Sequence, residues 1–317
     1  MFENCELKIE NLALVSETIY NIMSTNEQKT QNYSIGIDIG GTKMFAVLFD
    51  LTTKEAIADY KLATPKGKLE KFLVMLSALV EPLIERAKKD NGQVVKIGVG
   101  VPGIISAPTD KNELGEVLHC NNLTLLNEVA IGKILQEKYK LPVLVDNDAN
   151  CFLRAELALG AVKNSASAVG ITLGTGIGGA ISIERKIYQG VHGSAGEPGA
   201  IVIDVVDNTP MTLEEIYHNL MQGNPQAKAD EAFHGDELAL KAYQEFGKYL
   251  GLALASIVNL IDPEIIVIGG SAMHSGELFL AEVKKNLKLK ILSPKLKKIK
   301  VVPGKLENAG AIGAALL

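Results

Sequence analysis

Cysteine is scarce in this chain: Cys5, Cys120 and Cys151 are the only three, far apart and odd in number. They can build neither a disulfide framework nor a Cys-x-x-Cys metal cluster. Long apolar runs are missing too. The longest are broken by Gly, Asn or charges short of a membrane span, and Met1-Phe2-Glu3-Asn4 has neither the basic start nor the apolar middle of a signal peptide. The expectation is a cytoplasmic protein with no membrane partner. Positive charge is also in short supply, with a net charge of -5 and a pI near 5.7. The one basic block, Lys284 to Lys300, reads as a solvated helix or loop face, so nucleic acid is not the expected partner. What remains is 317 residues, 47% hydrophobic and 22% charged, enough for two domains with large cores.

Two stretches organise that material. In the first, the apolar strand Ser34 to Ile39 contains Asp38, runs into Gly40-Gly41-Thr42-Lys43 and continues into the apolar run Met44 to Phe49. The glycines therefore sit at a hairpin turn, where uncovered backbone N–H groups can face an anion. A Walker A loop needs a different spacing and a following helix, and this stretch has neither. The second is Asp146-Asn147-Asp148-Ala149-Asn150, at the end of the apolar strand Leu141 to Val145.

Taken in order, residues 1–32 predict one helical extension, from the spacing of Leu12, Val15, Ile19 and Ile22. A strand over Glu55 to Ala63 and an amphipathic helix over Lys68 to Asp90 follow. Then come a strand over Val94 to Val101, a helix over Leu125 to Tyr139, the strand before Asp146, and a helix over Ala149 to Gly160.

The second half repeats the order. Ser167 to Leu173 is a strand, Gly174-Thr175-Gly176-Ile177-Gly178-Gly179 a turn, and Ala180 to Glu184 the return strand. Further on lie a helix over Glu237 to Leu260, the strand Ile265 to Ile268 ending in Gly269-Gly270, and a helix over Leu278 to Leu287. A strand near Ile299 to Val302 and a closing helix over Glu307 to Leu317 complete the chain. The turn at 174–179 also fits G-x-G-x-x-G, but a dinucleotide fingerprint must open a helix and this one opens a period-two strand. Two α/β halves, each starting with a glycine-turned hairpin, predict a duplicated architecture whose cleft grips one phosphate chain from both sides.

These motifs resemble the ROK family of sugar kinases, repressors and related proteins from about Tyr33 to Leu317. Asp38 to Lys43 and Gly174 to Gly179 are similar to its two phosphate motifs. Asp146 to Asn150 resembles its catalytic stretch, Asn259 with Asp262-Pro263-Glu264 and Gly269-Gly270 its adenosine motif, and Gly310 to Ala315 its closing helix. The resemblance implies a ribonuclease-H-like, actin-like ATPase fold. The expected division is a small α/β domain over 33–147 completed by the helix in 303–317, and a large α/β domain over 148–302.

Phosphoryl transfer to a sugar hydroxyl needs Mg2+, backbone donors on the phosphates and a carboxylate to take the hydroxyl proton. A lone Asp at Asp148 would read as a helix N-cap; with Asn147 beside it and phosphate turns elsewhere it reads as the general base, kept ionised by the helix N-terminus. The resemblance implies sugar contacts at Gly103, Asn122, Asn147, Asp148, Glu197 and Glu214, with Asp146 structural. ATP contacts fall to Gly40, Gly41, Thr42, Lys43, Gly174, Thr175, Gly176, Gly178, Gly269 and Gly270. Asp38 is assigned to Mg2+ through water, because a carboxylate beside hairpin glycines is costly unless a cation or hydroxyl meets it.

One departure from the family stands out. Its motif after Glu197 ends in His where this chain has Ala200, and its zinc-binding cysteine cluster is replaced by the thiol-free Ile201 to Met211. No zinc is expected, and His192 is out of register to replace the lost His. The expectation is an ATP-dependent hexose kinase acting on the glucose 6-hydroxyl, and a homodimer as in relatives. An N-acetylhexosamine such as N-acetylmannosamine is the alternative substrate. From another class, a sugar-responsive repressor would need a winged helix-turn-helix that 32 weakly basic residues do not supply; a catalytically silent sugar sensor is the third reading.

Overall fold

A run without a polar face, Ser34 to Ile37, calls for a strand covered on both sides. In the computed structural model, which describes residues 30–106 and 115–317, it is the middle of β1 (Gln31–Ile39). The chain turns through Gly40, Gly41 and Thr42 into antiparallel β2 (Lys43–Asp50), and β3 (Ala56–Ala63) completes a meander. The helix α1 (Leu69–Lys89) crosses to β4 (Gly92–Val101), parallel to β1. Short strands β5 (Ile104–Ile105), β6 (Glu116–His119) and β7 (Val129–Ala130) form a separate three-stranded sheet. Then α2 (Ile131–Tyr139) leads to β8 (Val143–Asn147), parallel to β4.

The helix α3 (Asp148–Ala158) carries the chain into the second half. There β9 (Ala168–Leu173), β10 (Ile177–Ile183) and β11 (Lys186–Ile187) form a second meander. A hairpin of β12 (Val202–Val206) and β13 (Thr209–Thr212) precedes α4 (Leu213–Met221), α5 (Pro225–Phe233) and α6 (Glu237–Ile261). Last come β14 (Ile265–Gly269), a 3-10 segment Ser271–Leu278, α7 (Leu280–Lys290), β15 (Lys300–Pro303) and α8 (Ala309–Ala315).

The two large sheets run β3-β2-β1-β4-β8 and β11-β10-β9-β14-β15. In both, the first two neighbouring pairs are antiparallel and the last two parallel. The expected duplication is thus present strand for strand. On the first sheet, Ile35, Ile37 and Ile39 join Phe72, Leu76 and Leu79 of α1 in one core. Its opposite face receives α8, whose Ala311 and Ala315 pack with Val47 and Phe49.

Three expectations need correction. The helix expected from Leu125 begins only at Ile131, because Asn127 accepts the Cys120 N–H at 2.7 Å and Glu128 adopts φ 61°, which no α-helix accommodates. Gln31 and Asn32 belong to β1 rather than to the N-terminal extension; the rest of that expected helix lies outside the described residues. Asn259 is not turned to a nucleotide site, since its amide bonds Lys290 O and Leu292 N, both at 3.0 Å. Among the described residues no helix is long and apolar enough to cross a membrane.

Candidate active site

The two glycine turns are built alike. Gly40 N–H donates to Lys43 O at 2.9 Å and Gly174 N–H to Gly176 O at 3.0 Å, so each turn closes on itself. The N–H groups of Gly41, Thr42, Thr175 and Gly176 make no hydrogen bond among the described residues and stay available to an anion. The fold does not require glycine at Gly41 or Gly174: neither has positive φ, and an added Cβ would meet neighbours no nearer than 3.6 and 3.7 Å. A glycine that the fold does not need is one whose missing side chain leaves room for something else. Around the second turn α4 acts as a brace, with Tyr217 Oη donating to Gly174 O at 2.9 Å and the Glu214 carboxylate lying over Gly176.

At the end of β8 the roles of three adjacent residues separate. Asp146 is buried and accepts from Asn147 N, Asn150 Nδ2, Gln189 Nε2 and Arg154 Nη2 at 2.8–2.9 Å. It is a structural anchor, and Gln189 brings the second half to it. Asn147 caps α3, accepting from Ala149 N and Asn150 N, while its amide donates to Gly103 O at 2.9 Å. The cap position being taken, Asp148 turns one oxygen to the Ala149 N–H, at 2.9 Å, and no side chain among the described residues donates to it. Burial pushes the Asp148 carboxyl up to about 6, outweighing that backbone donor. Asp148 therefore stands above the ordinary range of an Asp while still ionising below neutral pH, the backbone donors at the helix N-terminus opposing the burial.

Two more carboxyls share this field. Burial and then the Asp148 charge raise Asp38 to about 7, with Lys43 opposing; burial, Asp148 and Glu214 raise Glu197 to about 7. Asp38 lies against Gly310 at the start of α8, 2.7 Å from where a Cβ would be. Asn122 borders Gly41, so the loop before β7 meets the first turn. Gly103 has φ 122° and abuts His119 O, which gives it a backbone reason to be glycine. Gly270, at φ 91°, packs on Leu173, and Ser271 Oγ lies beside Gly174. Asp38, Gly41, Asn122, Asn147 and Asp148 thus line the first side, facing Glu197, Glu214 and the 174–178 turn on the other. Ala200 is exposed nearby.

A cavity of about 130 Å³ opens beside the second turn, walled by Gly174, Thr175, Asn224, Gln226, Ser271 and Ser275 among others. Sequence reading missed residues 223–226 and Ser275. The Gly223-Asn224-Pro225 stop between two helices was the available signal, since it forces a turn at that position.

A buried carboxyl whose value is raised costs stability wherever it is ionised. A folded-state value of about 7 for Asp38, above the ordinary 3.8, means that the folded protein binds the proton more tightly than the unfolded chain. This contribution to stability falls as pH rises through that interval. Asp38→Asn is expected to melt at a higher temperature than the parent at about pH 8, with the difference vanishing toward about pH 4. Thermal melts at the two pH values in the absence of metal check it.

The ROK family model matches residues 34–213 and 209–317. A xylose repressor of Caldicellulosiruptor bescii is 27% identical over 307 residues, covering 88% of this chain and 75% of that protein. An N-acetyl-D-glucosamine kinase of Photobacterium profundum is 28% identical over 309 residues, covering 89% and 98%. Among solved structures, a ROK family glucokinase from Streptomyces griseus in complex with glucose and AMPPNP superposes with a TM-score of 0.72 at 26% identity, covering 89% of this chain and 98% of that one. With its paired five-stranded sheets the chain has the actin-like ATPase fold. The family model spans nearly all of the described residues on both sides of the cleft, and the chain belongs to the ROK family.

Proposed function

We propose that the protein is an ATP-dependent sugar kinase that moves the γ-phosphate of ATP to a hexose hydroxyl, most simply the 6-hydroxyl of glucose. The observation that carries this reading is the free Asp148 carboxylate, released from capping by Asn147 and set between two turns with open N–H groups. Asp148 takes the hydroxyl proton as the sugar oxygen bonds to phosphorus; the bond to the ADP oxygen breaks, and ADP and sugar phosphate leave. Turns 40–43 and 174–178 hold the phosphates, and the cavity by Asn224 and Ser275 takes the nucleoside. Glu197, Glu214, Asn122, Asn147 and Gly103 surround the sugar.

The residues present fit Mg2+: burial and the Asp148 charge both disfavour a bare Asp38 carboxylate, and Lys43 offsets this only partly. Asp38 would hold the ion through water, and Mg2+ would neutralise charge on the transferring phosphoryl group. Domain closure over Asp148 would exclude water.

An N-acetylhexosamine is the second substrate class, favoured by Ala200, which leaves open space where the family motif has a His. The repressor relative supports a non-catalytic sugar-responsive reading. A coupled ATP assay over glucose, N-acetylmannosamine and N-acetylglucosamine separates these. Turnover on one sugar is expected; sugar binding without turnover of any of them would move the assignment to the sensor.

A further inference from the structure

Where α6 and α7 end and β15 begins, the second half carries an unusual surface. Residues 284–300 hold eight lysines and no acidic residue, in a chain of net charge -5. All eight lysines are exposed, and Lys285, with Glu282, makes the only ion pair formed by any of them among the described residues. Leucines stand among them in the open: Leu289 is 66% exposed and Leu292 88%, with Leu260 from the last turn of α6 at 82%. They are displayed by design of the backbone. The Asn259 side chain bonds both Lys290 O and Leu292 N, clamping the end of α6 to the end of α7, so the chain at Leu260 lies beside the chain at Leu289 and Leu292. The acids that follow Leu260 are engaged elsewhere: Asp262 caps α6 and Glu264 accepts from Ala166 N.

We propose that this face docks on an anionic lipid bilayer. Lysines attract acidic headgroups without fixed geometry, and protruding leucines enter the boundary between headgroup and acyl chain. The residue types favour lipid over nucleic acid, because the segment has no Arg to fork onto phosphates and no aromatic ring to stack on bases. Strand direction supports it as well. In the parallel pair β14/β15, Ile265 and Lys300 are partners at the start, while the other end of β14 leads to Ser271, which walls the cavity beside the second turn, so a bilayer under Lys300 leaves that cavity open to solvent. The proposal thus differs from the expectation of a merely solvated face without a membrane partner. The proposal does not depend on the kinase reading.

Co-sedimentation of the full chain with vesicles tests it. Binding is expected to phosphatidylcholine vesicles containing about 30 mol% phosphatidylglycerol, and not to phosphatidylcholine alone. It should be released when salt rises from about 0.1 M to about 0.5 M. Replacing Lys288, Lys290, Lys297 and Lys298 together by Ala should weaken binding about tenfold or more, and Leu289→Ser with Leu292→Ser several-fold, both with unchanged melting. Absence of binding to the anionic vesicles would overturn the proposal. So would undiminished binding by the leucine variant, or equally tight binding to single-stranded DNA at the same salt.

Discussion

Asp148→Asn is expected to lower kcat by about 10²- to 10⁴-fold while leaving sugar affinity within a few-fold of the parent. The change is isosteric and removes only the proton acceptor. It does not disturb the start of α3, because Asn147 supplies the cap to Ala149 and Asn150. The charge it removes is one that burial already disfavours, its carboxyl standing at about 6. The variant should therefore melt no lower than the parent at about pH 8 while losing turnover, a combination that a structural role for Asp148 cannot produce. The same value predicts that kcat/KM of the parent climbs through about pH 6 and levels off above it, a limb that the variant lacks. A basic group near its operating pH is a better proton acceptor than an ordinary Asp, so burial here raises reactivity at the expense of charge. Undiminished turnover in the variant would sink the assignment of Asp148 as base.

The sequence carried the scaffold of this site because its signals are local. Asp38-Ile39-Gly40-Gly41 reads as a strand into a glycine turn within a handful of residues, and Gly174 to Gly179 does the same in the second half. The apolar stripe from Leu69 to Ile84 has the helical period that packs on a sheet. What stayed hidden depends on partners distant in sequence. No spacing announces that Asn127 will hold Cys120, and that bond with the strained Glu128 converts an apparently helical stretch into β7 and a turn. Two-residue strands such as β5 and β7 have no measurable period. Gln189 became part of the site only through Asp146, 43 positions away. Nor do pKa values follow from sequence alone: the helix N-terminus before Ala149 is visible in the sequence, whereas the depth of burial that raises Asp148 to about 6 is not.

The β12–β13 hairpin answers the question left by the missing cysteines. Thr212 accepts from Glu215 N at 3.2 Å and the Glu215 carboxylate accepts from Thr212 N at 2.8 Å, a reciprocal capping box that starts α4 directly after the hairpin. Tyr249 Oη donates to Asp204 at 2.6 Å and ties the hairpin to α6. Together these fix the entry of α4, and with it Glu214 and Tyr217, by hydrogen bonds.

Gly313→Ala is expected to be a strongly damaging single methyl where α3 and α8 cross. A Cβ at Gly313 would stand 1.7 Å from the Cys151 carbonyl oxygen and 2.9 Å from its Cα, both main-chain atoms of α3. No rotamer relieves that contact, so α3 and α8 must part. The opposite side of α8 cannot yield, since Cβ positions at Gly36 and Gly98 already lie 2.0 and 1.7 Å from Ala311 O and Ala314 O. The helix is wedged between the first sheet and α3 with glycine at each close approach. Overpacking of this kind costs up to about 3 kcal/mol, which for a chain of this size is a fall in melting temperature of about 4–5 °C. Function should suffer beyond stability. The first residue of α3 is Asp148 and the second of α8 is Gly310, which seats Asp38, so separating the helices moves the two carboxylates apart. Gly174→Ala is the contrasting variant: its Cβ meets nothing nearer than 3.7 Å, so melting should hold while nucleotide KM rises. If Gly313→Ala melted like the parent, the close crossing of α3 and α8 would be wrong; if it melted lower yet kept full kcat at low temperature, the crossing would be structural and the coupling to Asp38 and Asp148 would fail.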